Sequence, residues 1–283
     1  NLKINSKKII NHLKIQNNFS FWWMQPISEK SNFLKSFQVN EIIKLIALEY
    51  YLKTNKITKI STFGLSTKTN KAISFLARKN NLEFSNQKEK YSFSYNSRII
   101  NFLKSFIWLF YFLLKRRFLI GQNQKQWKKS KNQICVVNYL FDIDQNLLKK
   151  NIFSSGYWNQ LIDKIHSKNI GINWLHIYFE NEQIHSSKKA KGVLKRISKN
   201  NSKDIHVTLE SFINLKVVFL SVKAWFKIFI KSFVITEKSI LRNYKKNNFF
   251  IILSNEFAQN LQNHHSLKNV LTYFLIKKAF SEI

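Results

Sequence analysis

The sequence predicts an α/β protein: an open, mostly parallel sheet with crossover helices, supplemented by long apolar-basic helices. Three observations carry that prediction. Short β-branched and aromatic runs alternate with helical patterns over residues 57–85, and again over 132–179, at the spacing of β-α-β units. Two further segments are strongly apolar yet basic: 98–120, whose uncharged run is fenced by Lys104 and Lys115-Arg116-Arg117, and 212–234, which carries regularly placed lysines. A length of 283 residues suits one large domain or two small ones, with a substantial core.

The elements follow in order. "NEIIKLIALEYYLKTN" (40–55) has apolar residues at 42, 43, 45, 46, 48 and 52, a helical spacing. "ITKISTFG" (57–64) reads as a short strand. "TKTNKAISFLARKNN" (67–81) reads as a helix with Thr67 or Thr69 as its cap, and "LEFS" (82–85) as a second strand. "RIINFLKSFIWLFYFLLKRRFLI" (98–120) holds ten uncharged residues, Ser105 to Leu114. A bilayer span needs about 20. "NQICVVNYLFDID" (132–144) is the strongest strand signal, "SSGYWNQLIDKIHSKN" (154–169) a helix and "GINWLHIYF" (171–179) a strand. The two last strands are expected side by side and parallel. "FINLKVVFLSVKAWFKIFIKSFV" (212–234) puts Lys216, Lys223, Lys227 and Lys231 on one stripe of a helix. Such a helix either sits in a core with its lysines reaching water or lies in a membrane surface with lysines at the headgroups. On the second reading Lys104, Lys115, Arg116, Lys223, Lys227 and Lys231 edge the apolar surface. The chain divides into an α/β segment 1–97, an apolar-basic helix and connection 98–130, and a second α/β segment 131–283 with a helical C-terminal part. The first residue is not methionine and the last run reads as helix to the end, so a fragment of a longer protein is expected.

The formal net charge is +32, from 47 Lys+Arg against 15 Asp+Glu. Such an excess suits a nucleic-acid partner. Yet only six of the basic residues are arginine, the side chain that phosphate and base recognition favour. Lys, Asn, Ile and Phe abound while Gly and Pro are scarce, which is the mark of an A+T-biased genome and accounts for about half of the charge. One cysteine, Cys135, excludes a disulfide framework, and no zinc-ligand spacing is present. Phosphate loops, dinucleotide fingerprints, nucleophile elbows and H-E-x-x-H are also missing.

Candidate chemistry therefore rests on constellations. The pairs Asp142/Asp144 and Glu180/Glu182 fall at or just past the carboxyl ends of predicted strands, where open α/β sheets place ligands. His176 shares a strand face with Trp174 and Tyr178, either as a satisfied core group or as a base beside rings that pack on sugar. Upstream, "FSFWWMQPISEKSNF" (19–33) brings Trp22 and Trp23 before the only proline, Pro26, and then Glu29-Lys30-Ser31.

"FWWMQPISEKSNF", the helix "EIIKLIALEYYL" and "FSSGYWNQL…NWLHIYFE" together resemble the bacterial surface-carbohydrate biosynthesis proteins, transferases of O-antigen and capsule gene clusters. The matching positions are Trp22, Trp23, Glu29, Lys30 and Ser31, then Tyr157, Trp158, Asn173, Trp174, Leu175 and His176. The resemblance implies a glycosyltransferase-B-like N-terminal lobe that takes a lipid-linked glycan acceptor. It implies work in the cytoplasm, peripherally on the inner membrane face. A nucleotide sugar is expected for the full-length protein, held by a half that continues beyond this C-terminus; no cofactor and no metal are expected in this piece. Within that reading His176, Glu29 and Asp142 are the candidates for hydroxyl activation. Trp22, Trp23, Lys30, Tyr157, Trp158, Asn173 and Trp174 are the candidates for substrate contact. Two rivals stand beside it: an RNA-binding ribosomal protein from an A+T-rich organellar genome, and a non-catalytic assembly protein that keeps the fold.

Overall fold

The computed structural model describes residues 3–4, 7–16, 19–25, 37–87, 97–141, 143–200, 203–234 and 260–283. Among them the chain is mixed α/β, with short parallel sheets. It opens with β1 (Lys3–Ile4), β2 (Lys7–Lys8), α1 (Ile9–His12), β3 (Lys14–Gln16) and β4 (Phe19–Ser20), then α2 (Phe37–Thr54). Next come β5 (Lys59–Phe63), α3 (Thr67–Lys79), β6 (Glu83–Gln87), α4 (Ser97–Arg116), α5 (Gln124–Lys128) and β7 (Ile134–Tyr139). The remainder is α6 (Gln145–Lys149), α7 (Asn159–Ser167), β8 (Ile172–Ile177), α8 (Ser187–Asn200), β9 (Ile205–Thr208), α9 (Leu215–Val234) and α10 (His264–Phe280). Two compact units result, residues 1–105 with 224–266 and residues 106–223 with 267–283.

In the first unit β5 and β6 pair in parallel, Lys59 opposite Glu83 through Phe63 opposite Gln87. α3 crosses between them for readable reasons. Ser66, rather than Thr67 or Thr69, caps it by accepting from Thr69 N at 3.1 Å. Its apolar positions Ala72, Ile73 and Leu76 pack with Leu45 and Leu52 of α2. Asn81 then takes the left-handed conformation (φ 55°) that ends the helix. Asn151 and Asn169 do the same after α6 and α7, so a chain poor in glycine uses asparagine for this task.

The second unit holds the three-stranded parallel sheet β7-β8-β9. Ile134 to Tyr139 face Ile172 to Ile177 in register, and Asn173 to His176 face Ile205 to Thr208. The expected adjacency of the segments at 132–144 and 171–179, with a helix between them, is therefore present, and β9 extends it. The observed strands are shorter. Asp144 leaves the strand to cap α6, accepting from Asn146 N at 2.8 Å and Leu147 N at 3.1 Å. The helix expected from 154 starts at Asn159, because Ser155 bridges to Ile143 in extended backbone first.

One carboxylate ties this sheet together. Buried Asp204, just before β9, accepts from Ile172 N at 2.9 Å, from Trp174 Nε1 at 3.3 Å and lies 2.9 Å from His166 Nε2 on α7. Beside it the chain passes so closely that a Cβ on Gly171 would sit 2.5 Å from the Lys203 carbonyl oxygen, so only glycine fits. Among the described residues no helix is long and apolar enough to cross a membrane.

Removing the Asp204 carboxylate strands a buried amide and a buried indole N–H. Asp204→Ala should therefore cost about 3 kcal/mol of unfolding free energy, with a smaller loss for Asp204→Asn, which keeps one acceptor. Urea midpoints at constant slope read the difference.

Candidate active site

The sheet's alternation decides what each strand residue can do. Trp174 and His176 point to the face covered by α7, where they meet His206 of β9 and Phe153. The three rings lie in nearly parallel planes: 1° between Trp174 and His206, and 4° between His176 and His206. Phe153 meets all three edge-on, with centroids 4.8–5.4 Å away. His176 Nε2 and His206 Nδ1 are 3.0 Å apart, so one imidazole donates to the other. Both rings are fully buried, and burial holds both neutral, His176 down to about 3 and His206 well below 6.5.

This placement corrects the expectation for His176. A histidine without exposed surface, already bonded to a second histidine, cannot reach a hydroxyl in a cleft. Trp174 is likewise a core ring. Asn173, also fully buried, braces the other face of the sheet, its Oδ1 accepting from Ser130 Oγ at 2.7 Å. Trp22 and Trp23 lie in a 3-10 turn (Phe21–Met24) of the first unit, Trp22 half-buried and Trp23 exposed. Glu29, Lys30, Ser31 and Asp142 lie outside the described residues.

Tyr157 and Trp158 are placed differently. They precede α7, and Tyr157 is 64% exposed. With Val137, Asn138, Tyr139, Phe141 and Ile177 they line a groove of about 380 Å³. Tyr139 and Phe141 stack there with centroids 5.1 Å apart, and Phe141 meets Tyr157 edge-on at 6.3 Å. Tyr157 thus meets Phe141, whereas Trp158 packs against Ile162, Ile172 and Trp174.

Past the carboxyl ends of β7, β8 and β9 lies a crevice of about 460 Å³, sharing Tyr139 and Ile177 with that groove. This is where parallel sheets leave room for ligands. Trp108, Tyr111 and Phe112 of α4 give it an aromatic wall, and Lys268 of α10 a cation. Arg116, at the end of α4, reaches in beside Tyr178, with its guanidinium carbon 4.2 Å from the ring centroid. Two carboxylates flank it. Glu180 Oε1 is 3.5 Å from Nη1, and Glu210 Oε1 is 3.8 Å from Nε. Glu180 also binds Lys115 Nζ at 2.6 Å. Lys115 and Arg116 therefore both engage these acids, Lys115 from an exposed position and Arg116 from a half-buried one.

Glu210 comes from the 3-10 turn Leu209–Phe212 that follows β9 without a linker. Ser211 Oγ accepts from Thr208 N at 3.2 Å and holds that turn closed. Burial pushes the Glu210 carboxyl up to about 7, overriding the pull of Arg116. Its Oε2 and the Arg116 Nε are both buried without a hydrogen-bond partner. Glu180 was visible in sequence as an acid at a strand end. Glu210 was not singled out, although "DIHVTLE" is itself a short β-branched run ending on an acid. Among the described residues no three His, Cys, Asp or Glu side chains cluster to hold a metal ion.

No protein-family model matches the chain, and neither the curated proteins nor the solved structures contain a significant match.

The histidine pair gives a stability signature. The unfolded chain takes up protons near 6.5, whereas the folded one resists until about 3. Stability is therefore complete above that upper value and falls as pH falls, by about 3 kcal/mol for His176 alone near pH 4. Urea unfolding between neutral pH and pH 4 should show a shallower fall for the His176→Leu/His206→Leu double variant than for the parent.

Proposed function

We propose that this chain is the acceptor-side lobe of a glycosyltransferase-B-like sugar transferase of bacterial surface-polysaccharide assembly, and that the strand-end crevice is where the acceptor hydroxyl loses its proton. One observation carries the reading: Arg116 Nε–H and Glu210 Oε2, on side chains whose Nε and Oε1 lie 3.8 Å apart, are both buried without a hydrogen-bond partner. A group that satisfies both must accept one hydrogen bond and donate another. A hydroxyl does this, whereas a carboxylate or phosphate oxygen would suit Arg116 and repel an ionised Glu210. The aromatic wall of Trp108, Tyr111 and Phe112 offers faces on which a sugar ring packs.

Glu210 replaces His176 as the base. With its carboxyl near 7, it can take a proton at neutral pH and still be ionised enough to begin. The acceptor oxygen bonds to the anomeric carbon of a nucleotide-sugar donor while its proton passes to Glu210. The bond from that carbon to the diphosphate breaks, and its electron pair leaves on the nucleotide. No described residue is assigned to the donor. The acceptor is a lipid-linked glycan, met at the cytoplasmic face of the membrane.

Glu210→Gln should lower transfer by about a hundred-fold or more, and parental activity should rise with pH through about 7. Stability should move the opposite way. The buried carboxyl keeps its proton to about 7 while the unfolded chain releases it near 4.5, so the parent loses stability as pH rises between those values. At pH 8 the Gln variant should be more stable by about 3 kcal/mol, and equal to the parent at pH 4. Surface-glycan assembly in cells carrying Glu210→Gln, with pH-dependent unfolding of the purified protein, tests both halves. Full activity in that variant would sink the assignment.

A further inference from the structure

Within the second unit, aromatic rings form an unbroken row at the carboxyl ends of β7 and β8. Phe179 meets Tyr139 with centroids 5.5 Å apart, Tyr139 stacks on Phe141 at 5.1 Å, and Phe141 meets Tyr157 at 6.3 Å. Phe179 lines the crevice, Phe141 and Tyr157 line the groove, and Tyr139 lines both. The row therefore joins the two hollows. Three of its rings stay open to water, Phe179 at 42%, Tyr139 at 44% and Tyr157 at 64%. A row built for stability alone would be covered, since an aromatic side chain removes about 150–250 Å² from water when buried. Trp158 walls the groove from the core side, where it packs against Ile162, Ile172 and Trp174. Asn138 adds an amide to the lining, held in place as its Nδ2 donates to Ser155 Oγ at 3.3 Å.

We infer that the groove is a second sugar subsite, continuous with the crevice. The acceptor is then an oligosaccharide whose terminal sugar sits in the crevice while the preceding, uncharged sugar lies on Tyr157 and Phe141. Charge selects this occupant. The crevice is lined by Lys115, Arg116 and Lys268 together with Glu180 and Glu210. Among the described residues no charged side chain lines the groove, in a chain whose net charge is +32. Nucleic acid also stacks on aromatic rings, but it needs cations along its backbone, and the described lining offers none. A second copy of this chain would bring the same net charge of +32 against its own. An acyl chain would cover the rings and draw nothing from the Tyr139 and Tyr157 hydroxyls or the Asn138 amide. A neutral sugar uses both, with its C–H face on a ring and its hydroxyls at the polar rim. A volume of about 380 Å³ falls in the range of small-ligand pockets, which combine apolar walls with a few fixed polar groups.

The inference rests on the sugar-transfer reading for which sugar reacts, and on the groove's own lining for which sugar is held. Tyr139 and Ile177 belong to both hollows, so two linked sugars can occupy them without a gap. The groove then selects acceptors by length, because a single sugar in the crevice leaves Tyr157 and Phe141 uncovered.

The test is a saturation-transfer NMR titration of the full chain with neutral monosaccharides and disaccharides of glucose, galactose, mannose and N-acetylglucosamine. At least one disaccharide is expected to bind about five-fold more tightly than its monosaccharide. In Tyr157→Ala that gain should vanish, whereas Tyr157→Phe, which keeps the ring, should retain most of it. Tyr157 is largely exposed, so circular dichroism should report an unchanged fold in both variants. The readout is a ratio of two affinities and needs no turnover. The catalytic assignment of Glu210 can therefore fail while the subsite stands, and the subsite can fail while Glu210→Gln still abolishes transfer. Several results would overturn the inference: no sugar binding by the parent, equal affinity for one sugar and two, or a gain that survives Tyr157→Ala. Binding of an oligouridylate that Tyr157→Ala abolishes, or a parental dimer that it turns monomeric, would do so as well.

Discussion

The second unit is organised around a single buried carboxylate. Asp204 accepts from the first amide of β8, from the indole of Trp174 and from His166 on α7. Two elements, β8 and α7, are thereby fixed to the start of β9 by charge-assisted hydrogen bonds, which are about twice as strong as neutral ones. The consequence is one of register. A one-residue slip of β9 would exchange His206 and Thr208 for Ile205 and Val207, and turn the histidine pair out of its ring cluster. Packing alone distinguishes these alternatives weakly in a chain so rich in isoleucine and phenylalanine. A directional bond distinguishes them strongly.

Fixing the amino ends of the strands also fixes their carboxyl ends. With β8 and β9 in register, Tyr178-Phe179-Glu180 and Leu209-Glu210 emerge together, and α4 supplies Arg116 between the two acids. The crevice carries an imbalance that Asp204 does not, and that the histidine pair shares, since His176 Nδ1 and His206 Nε2 are also buried without a hydrogen-bond partner. In the core Asp204 is paired at both oxygens, whereas in the crevice one Glu210 oxygen and the Arg116 Nε have no partner. Burying an unsatisfied carboxyl costs stability, a kind of cost that binding and catalytic sites carry.

Much of the architecture was legible in the sequence because its signals are local. Alternation of short β-branched runs with amphipathic helices located both β-α-β units, and the parallel pairing of 134–139 with 172–177 follows from a crossover of that length. Boundaries were less legible because they depend on side-chain caps: Asp144 ends one strand early, and Ser66 begins a helix ahead of the threonines. The site was legible only in part. "NWLHI" reads as a polar-aromatic constellation, and a strand presents alternate residues to opposite faces, but periodicity does not say which faces are covered. Here both are, by α7 on one side and by Ser130 and Asn132 at Asn173 on the other. Arg116 carried a signal of the opposite kind. As the last basic residue of an apolar helix it looked like a headgroup anchor, and only the tertiary arrangement brings two acids to it.

The same reasoning explains why an unusual amino-acid alphabet need not mean an unusual fold. Where most chains would place glycine after a helix, this one places asparagine, which reaches the left-handed region at small cost. Where most cores would use leucine and valine, β8 uses tryptophan, asparagine and histidine, and each of these side chains finds a polar partner, although His176 Nδ1 is left without one. The partners are themselves polar and buried: Asp204 for Trp174, Ser130 for Asn173, and His206 for His176. A compositional bias so propagates inward as paired polar groups, and the pairs act as register marks. Most of the lysines of α9 have no such constraint, and Lys216, Lys223 and Lys227 remain exposed. Composition thus sets which residues are at hand, and burial decides which of them acquire a function.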